Sequence, residues 1–280
     1  MSWNYKVNIL STDTVERFTP LTNTHYECII KFIMGNDDAG LIAYLDHVVS
    51  SLCISQDFQW DQLNIIDKLF IFTSIRSICV SPIINITLTD SPKKNTRTVE
   101  LFPFRSSIAD EYVLPIVCKD TDYNMEVTVH YPRNWNENRL SSYITHISID
   151  GTDIDVNTID SKDIYKIIDQ LTPHLHTKIT EAREAVEKSV NAMTFFKPMD
   201  RDPITINLDE LLYFIKLLYT EDFNNFIELN YVLVKLGRIG LADIMNLTPI
   251  DTQLYYKMYQ REQAEREKQN AAAIKESRSI

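Results

Sequence analysis

Few residues in this chain have the types and spacing that chemistry requires. His174 and His176 lie two apart, whereas helical metal ligands sit three or four apart to share a face. Their setting, just after Pro173, reads as the polar start of a helix. His25, His47, His130 and His146 have no ligand spacing. Asp150, Asp153 and Asp155 resemble the opening of a calcium loop, but no glutamate closes it. Asp150 is also half of an Asp-Gly pair between alternating apolar residues, which is a hairpin signal. Ser141 and Ser142 lack the flanking glycines of a nucleophile elbow. Cys28, Cys53, Cys79 and Cys118 are too scattered for a zinc knuckle. Buried free thiols in a reducing cytoplasm are the expectation. No catalytic, metal-binding or cofactor-binding set emerges, and zinc is expected to be absent.

Composition narrows the field further. Only 5 of the 280 residues are glycine, too few for the usual phosphate-cradling loops. A net charge of -11 disfavours nucleic acid and anionic lipid and favours basic partners. The most apolar stretch, Leu69 to Ile86, is interrupted by Arg76 and Pro82, so no membrane span is expected. The first residues carry no basic start followed by an apolar run, so no secretory leader is expected. At 44% hydrophobic residues the chain can bury a substantial core, as one elaborate domain or two small ones.

The hydrophobic period changes twice along the chain. Cys28, Ile29, Phe32 and Ile33 follow helical spacing behind a Thr24 cap. Leu41, Tyr44, Leu45, Val48, Val49 and Leu52 form a second helix behind Asp37 or Asp38. A third runs from about Asp61 and stops before Pro82. Ile84, Ile86 and Leu88 then alternate, with a return strand over Thr98 to Phe104. Met125, Val127, Val129 and Tyr131 alternate again. Ile147 and Ile149 lead into Asp150-Gly151, and Ile154 and Val156 follow. Helical spacing resumes after Ser161 or Asp163 and continues along the stripe from Leu175 to Met193. Ile204 and Ile206 interrupt it by alternating. Further helices run through Leu211 to Tyr219 and Phe223 to Val234, ending near Gly237. Residues after about Gln260 are charged and alanine-bearing, with high helix propensity and no face to bury.

The predicted fold is α+β, with helical N- and C-terminal parts flanking a central antiparallel β-rich region. The parts are 1–82 (helical), 83–160 (β-rich), 161–260 (helical) and an exposed helical or disordered tail over 261–280. The aromatic residues mostly follow these periods and point to packing. Tyr219, Phe223, Phe226, Tyr231, Tyr255 and Tyr259 are the candidates for a partner-binding face.

The segment YTEDFNNFIELNYVLVKLGRIGLADIMNLTPIDTQLYYKM, from Tyr219 to Met258, resembles the C-terminal region of the baseplate hub subunit and hub assembly protein family of T4-like phages. The resemblance lies in an acidic helix start, the run Asn230-Tyr231-Val232-Leu233-Val234-Lys235, a short helix with Asp243-Ile244-Met245, and Pro249-Ile250 opening a last helix. Phe226, Tyr231, Ile244, Met245 and Leu254 would pack these helices together. Asp67-Lys68-Leu69-Phe70 and Ser74-Ile75-Arg76-Ser77-Ile78 are similar to the family helix that leads into a hairpin. Members often carry a Cys-x-x-Cys knuckle there. The corresponding residues here, Asp90 to Asn95, contain no cysteine, so no structural zinc is carried over.

The resemblance implies a non-enzymatic protein of the contractile-tail baseplate hub, either a transient assembly factor or a permanent structural component. The implied partners are other baseplate hub proteins and the tape-measure protein, met in the host bacterial cytoplasm during assembly or in the virion tail baseplate. A cell-wall hydrolase is the enzymatic alternative, and no paired carboxylates at a recognisable spacing support it.

Overall fold

The computed structural model describes residues 3–88, 95–101, 108–135, 139–154, 156, 159, 161–193, 196–197, 210–220 and 223–278. It opens on a hairpin of β1 (Tyr5–Ile9) and β2 (Thr14–Phe18). The helices α1 (Asn23–Met34), α2 (Asp38–Leu52) and α3 (Ile65–Cys79) follow. The central region contains β3 (Ile83–Leu88), β4 (Asn95–Leu101), the short α4 (Ile108–Glu111), β5 (Ile116–Asp120), β6 (Met125–Val129), β7 (Ile144–Ile149) and β8 (Thr152–Ile154). Helices α5 (Ser161–Asp169) and α6 (Pro173–Ala192) precede β9 (Phe196–Lys197). The chain ends in α7 (Leu211–Thr220), α8 (Phe223–Lys235), α9 (Leu241–Met245) and α10 (Pro249–Arg278). The class is α+β, with antiparallel sheets in the middle and helices towards both ends.

The first hairpin departs from the expected all-helical start. Tyr5, Val7 and Ile9 are buried while Lys6 and Asn8 face out, so the period is two. The cap of α1 is Thr22, not Thr24, and the His25 side chain reaches back to the Thr22 backbone. Thr24 instead donates to the Met245 carbonyl oxygen. Asp37 caps α2 as expected, accepting from the Gly40 amide. Near Asp61 the chain makes a single tight turn, and α3 begins only after Asn64, whose side chain accepts from the Ile66 and Asp67 amides.

Helix α3 is buried on every side over its first three turns, which suits its nearly all-round apolar sequence. Its polar residues are each satisfied. Asp67 accepts from the Leu10 and Ser11 amides at 2.9 and 3.2 Å, pinning the β1–β2 turn to α3. Burial pushes its carboxyl above the usual range, against those hydrogen bonds. Lys68 donates to the Arg133 carbonyl at 3.0 Å and lies 5.2 Å from the centre of the Trp60 ring. Thr73 and Ser74 both donate to the Phe70 carbonyl. Arg76, fully buried, joins α3 to α7 through the Leu218 carbonyl and to the following turn through the Ser81 carbonyl.

Two sheets occupy the middle of the chain, ordered β3-β4-β9 and β5-β6-β7-β8. In the second, Cys118, Val127 and Ile147 are buried beside the inward stripe Leu175, Ile179, Ala182 and Val186 of α6. The expected Asp-Gly hairpin is present: Asp150 and Gly151 both have positive φ, 52° and 76°, between the paired Ile149 and Thr152. Strand β5 was not anticipated. The return strand β4 begins at Asn95 and ends at Leu101, earlier than expected; 102–104, Asp155 and the alternating Ile204 and Ile206 lie outside the described residues.

The loop before β5 is held by two side chains from the end of β6. The Tyr131 hydroxyl accepts from the Val113 amide at 2.9 Å, and His130 Nε2 lies 3.1 Å from the Val113 carbonyl oxygen. That pairing makes Nε2 the protonated nitrogen of a neutral ring. Burial, with a smaller contribution from the Arg133 charge, pushes the imidazole down to about 4. The unfolded ring titrates near 6.5. A depressed folded value means the fold favours the neutral ring. Its contribution is present above pH ~6.5 and is lost as pH falls from there through about 4. The shift corresponds to about 3 kcal/mol. Urea midpoints measured across this window should fall more steeply for the native chain than for His130→Gln; parallel curves would contradict this.

Candidate interaction surface

Helix α8 is amphipathic. Phe226 and Leu233 point inward, and Phe226 meets the Tyr26 ring edge-on at 5.2 Å. Ile227, Tyr231 and Val234 follow one another at spacings of four and three on the outer side, where all are exposed. Tyr231 is the most open of them, at 59%. The Lys235 ammonium lies 5.9 Å from the centre of its ring.

Helix α10 is set beside α8 by a buried polar clamp. The Asn23 side chain, fully buried at the start of α1, donates to the Ile244 carbonyl at 2.7 Å and to the Thr252 hydroxyl at 2.6 Å. The Asn23 amide donates to the Leu247 carbonyl at 2.7 Å. Thr248 caps α10 by accepting from the Asp251 amide at 3.1 Å. These bonds fix the first turn of α10 and the segment before it. Its outer side then carries Leu254, Tyr255 and Met258, all exposed.

Between α8 and α10 lies a cleft of about 710 Å³. Its walls include Leu229, Tyr231 and Val232 from α8, Tyr256 from α10, and Ile83 at the start of β3. Glu228 and Lys257 supply one charge of each sign. Apolar and aromatic side chains exposed together around a groove are the signature of a protein-contact surface.

The six aromatic candidates separate cleanly. Tyr219 and Phe226 are buried, so they belong to the core: Tyr219 lies 6.1 Å from the Tyr26 ring and donates to the Phe72 carbonyl. Phe223 and Tyr259 are half-buried. Tyr231 and Tyr255 are exposed, and of the six only Tyr231 lines the cleft. Tyr231 and Leu254, expected to pack the C-terminal helices, face outward instead; the packing falls to Phe226, Leu233 and Ile244. Ile227, Leu254, Tyr256 and Met258 were not anticipated in this surface. Counting four back from Tyr231, and four on from Leu254, would have found two of them.

Helix α10 does not end with the body. It runs for 30 residues, about 45 Å, and nearly every described side chain beyond Gln260 is exposed. The Glu262–Arg266 pair, 3.8 Å apart, is the kind of exposed contact that adds only about 0.3–0.5 kcal/mol. Deleting 265–280 should therefore leave the melting temperature within about 2 °C of the native value. A large drop in a thermal melt would mean that this segment packs on the body.

The residues with chemical potential elsewhere do not converge. His174 and His176 are exposed on the first turn of α6. Asp153 pairs with His146 at 3.3 Å on the open side of the second sheet. Ser141 and Ser142 border a polar cleft of about 400 Å³ with Asp61 and Arg133, and the Ser142 hydroxyl donates to the Arg139 carbonyl. All four cysteines are free. Among the described residues, no three His, Cys, Asp or Glu side chains gather where they could hold a metal ion, and no helix is long and apolar enough to cross a membrane.

The described residues form an α+β body with a cleft between α8 and α10 and a last helix that is exposed beyond Gln260. The family model described as T4 bacteriophage base plate protein matches residues 2–196, and the chain belongs to that family. It is thereby a bacteriophage protein of the tail base plate, whose neighbours are other base plate proteins. The matched span ends before α7, so the α8–α10 surface lies beyond it. No curated protein and no solved structure matches the chain.

Proposed function

We propose that the chain is a non-enzymatic component of the baseplate hub, a hub subunit or hub assembly factor, that docks its neighbours through the α8–α10 surface. The observation that carries this reading is the exposed apolar row Ile227, Tyr231 and Val234 on α8, with Leu254, Tyr255 and Met258 exposed on the neighbouring α10 and Tyr231 lining the cleft between the two helices. Tyr231 and Tyr255 are the central contacts, with Phe223 and Tyr259 at the margin. Family membership supplies the setting. The neighbours are other hub proteins and the tape-measure protein. The acidic chain, at -11, suits partners with basic surfaces.

Stoichiometry in purified tails tests the role. A fixed copy number per baseplate identifies a permanent structural component. Presence in assembly intermediates and absence from finished tails identifies an assembly factor that meets the hub in the host cytoplasm. Absence from both rejects the proposal. Turnover of peptidoglycan by the pure protein would instead support the cell-wall hydrolase.

A further inference from the structure

The hydrophobic core takes in side chains from Tyr5 to Phe226, and among the described residues α9 and α10 add none to it. Ile244 is the buried aliphatic residue that these two helices supply. Beside it only Thr248, Pro249 and Thr252 are buried, again among the described residues. Leu241, Ile250, Leu254, Tyr255 and Met258 are exposed. A segment with so little buried apolar surface separates from its body more readily than the core unfolds.

Hydrogen bonds hold these helices instead. Asn23 donates to the Leu247 and Ile244 carbonyls and to the Thr252 hydroxyl, and the Thr24 hydroxyl donates to the Met245 carbonyl at 3.0 Å. All of these donors belong to two adjacent residues at the start of α1. The closed arrangement also carries two costs that opening relieves. Asn23 Oδ1 is buried with no hydrogen-bond partner among the described residues, and water supplies one once it is uncovered. Arg238, in the link between α8 and α9, has a φ of 57°, a left-handed conformation that glycine alone adopts routinely. That link is drawn tightly onto α8. The Gly237 amide donates to the Val232 carbonyl and the Ile239 amide to the Leu233 carbonyl, both at 3.2 Å. A Cβ on Gly237 would stand 2.7 Å from the Leu233 carbonyl oxygen.

We propose that residues 241–278 form an arm that leaves the body as one unit, with Asn23 and Thr24 as its latch and residues 236–240 as its hinge. The body, with its core intact, stays folded while the arm is open. Closed, the arm supplies one wall of the α8–α10 cleft, including Tyr256 and Lys257; open, that wall is gone. A partner in contact with both walls therefore binds only the closed form and holds it shut. This coupling rests on docking at the α8–α10 surface; the opening itself does not.

Hydrogen exchange of the pure full chain, resolved by residue over a series of low urea concentrations, measures the opening. The bonded amides of α9 and those of 253–260 in α10 should exchange together, at least about a hundredfold faster than those of α3. They should share one urea dependence, shallower than that of global unfolding. The Asn23 amide is the reporter on the body side: it belongs to α1 but is bonded to Leu247, so it should exchange with the arm. Protection of the arm equal to that of α3 overturns the proposal. So does exchange that is insensitive to urea or that leaves the Asn23 amide protected, which is fraying of α10 alone. Thr252→Val removes the latch hydroxyl without touching α1, and Gly237→Ala forces the hinge away from the Leu233 carbonyl. Each should speed exchange of the arm at least about tenfold and leave α3 unchanged. Arm exchange indifferent to both variants overturns the assignment of latch and hinge. No partner is present in these measurements, so a failure of docking through Tyr231 leaves their result standing.

Discussion

Arg76→Ala should destabilise the chain by about 3–5 kcal/mol, more than any exposed charge removal. The guanidinium is fully buried and donates to the Leu218 carbonyl at 2.5 Å and to the Ser81 carbonyl at 2.6 Å. Leu218 lies in the last turn of α7, where carbonyls have no partner within the helix and where a cation is favoured. The substitution leaves both acceptors without this donor and opens a cavity between α3 and α7. Arg76→Lys keeps the charge but not the forked geometry, so it should cost less than alanine while still destabilising. Urea unfolding of the three proteins measures both differences. An alanine variant within about 1 kcal/mol of the native chain would show that this link is not structural.

Phe226→Ala should cost a similar amount, about 3–5 kcal/mol, through the cavity it leaves. The ring is 5% exposed and packs on Tyr26, which in turn meets Tyr219. The consequence is also positional. Phe226 holds the inner side of α8, and Ile227 and Tyr231 are presented from the outer side of the same turns. A chain that remains folded with the Phe226 ring removed should therefore lose partner capture as well as stability. Tyr231→Ala, by contrast, should leave stability within about 0.5 kcal/mol, because its ring is exposed. Equal losses of stability in the two variants would contradict the division of α8 into an inner and an outer side.

Much of the fold was legible from hydrophobic period. The stripe from Leu175 to Met193 became α6, and Asp150-Gly151 became the tight turn between β7 and β8, because both signals are local and strong. The first hairpin was missed although Tyr5, Val7 and Ile9 alternate in the sequence. Its turn contains no glycine, and Asp13 supplies the positive φ of 51°. Strand β5 was missed because Ile116, Val117 and Cys118 run together without alternation, and it gains its identity by pairing with β6. The polar residues of α3 gave no local sign of burial. Their partners lie far along the chain, as with Asp67 and the Leu10 amide or Arg76 and the Leu218 carbonyl.

The surface was legible only in outline. Six aromatic residues were visible as candidates, but the inner and outer sides of α8 are distinguished by what packs against them. Phe226 and Tyr231 are both aromatic and five apart, about 140° from each other around the helix, and the contact with Tyr26 assigns Phe226 to the core. The placement of α10 beside α8 depends on Asn23, more than 200 positions away in sequence. A polar residue inside the first turn of α1 carries no sequence sign of that role.

Partner capture by surface variants tests the central claim most directly. Tagged native chain and the double variant Tyr231→Asp, Leu254→Asp are expressed during infection, recovered, and their co-purifying baseplate proteins quantified. Both replaced side chains are more than half exposed, so the variant should fold and melt like the native chain. The native chain should retain its base plate neighbours, and the double variant should lose at least about nine-tenths of them, a loss of ~1.4 kcal/mol or more in binding. Equal recovery of the same baseplate proteins by a folded double variant would contradict docking through the α8–α10 surface.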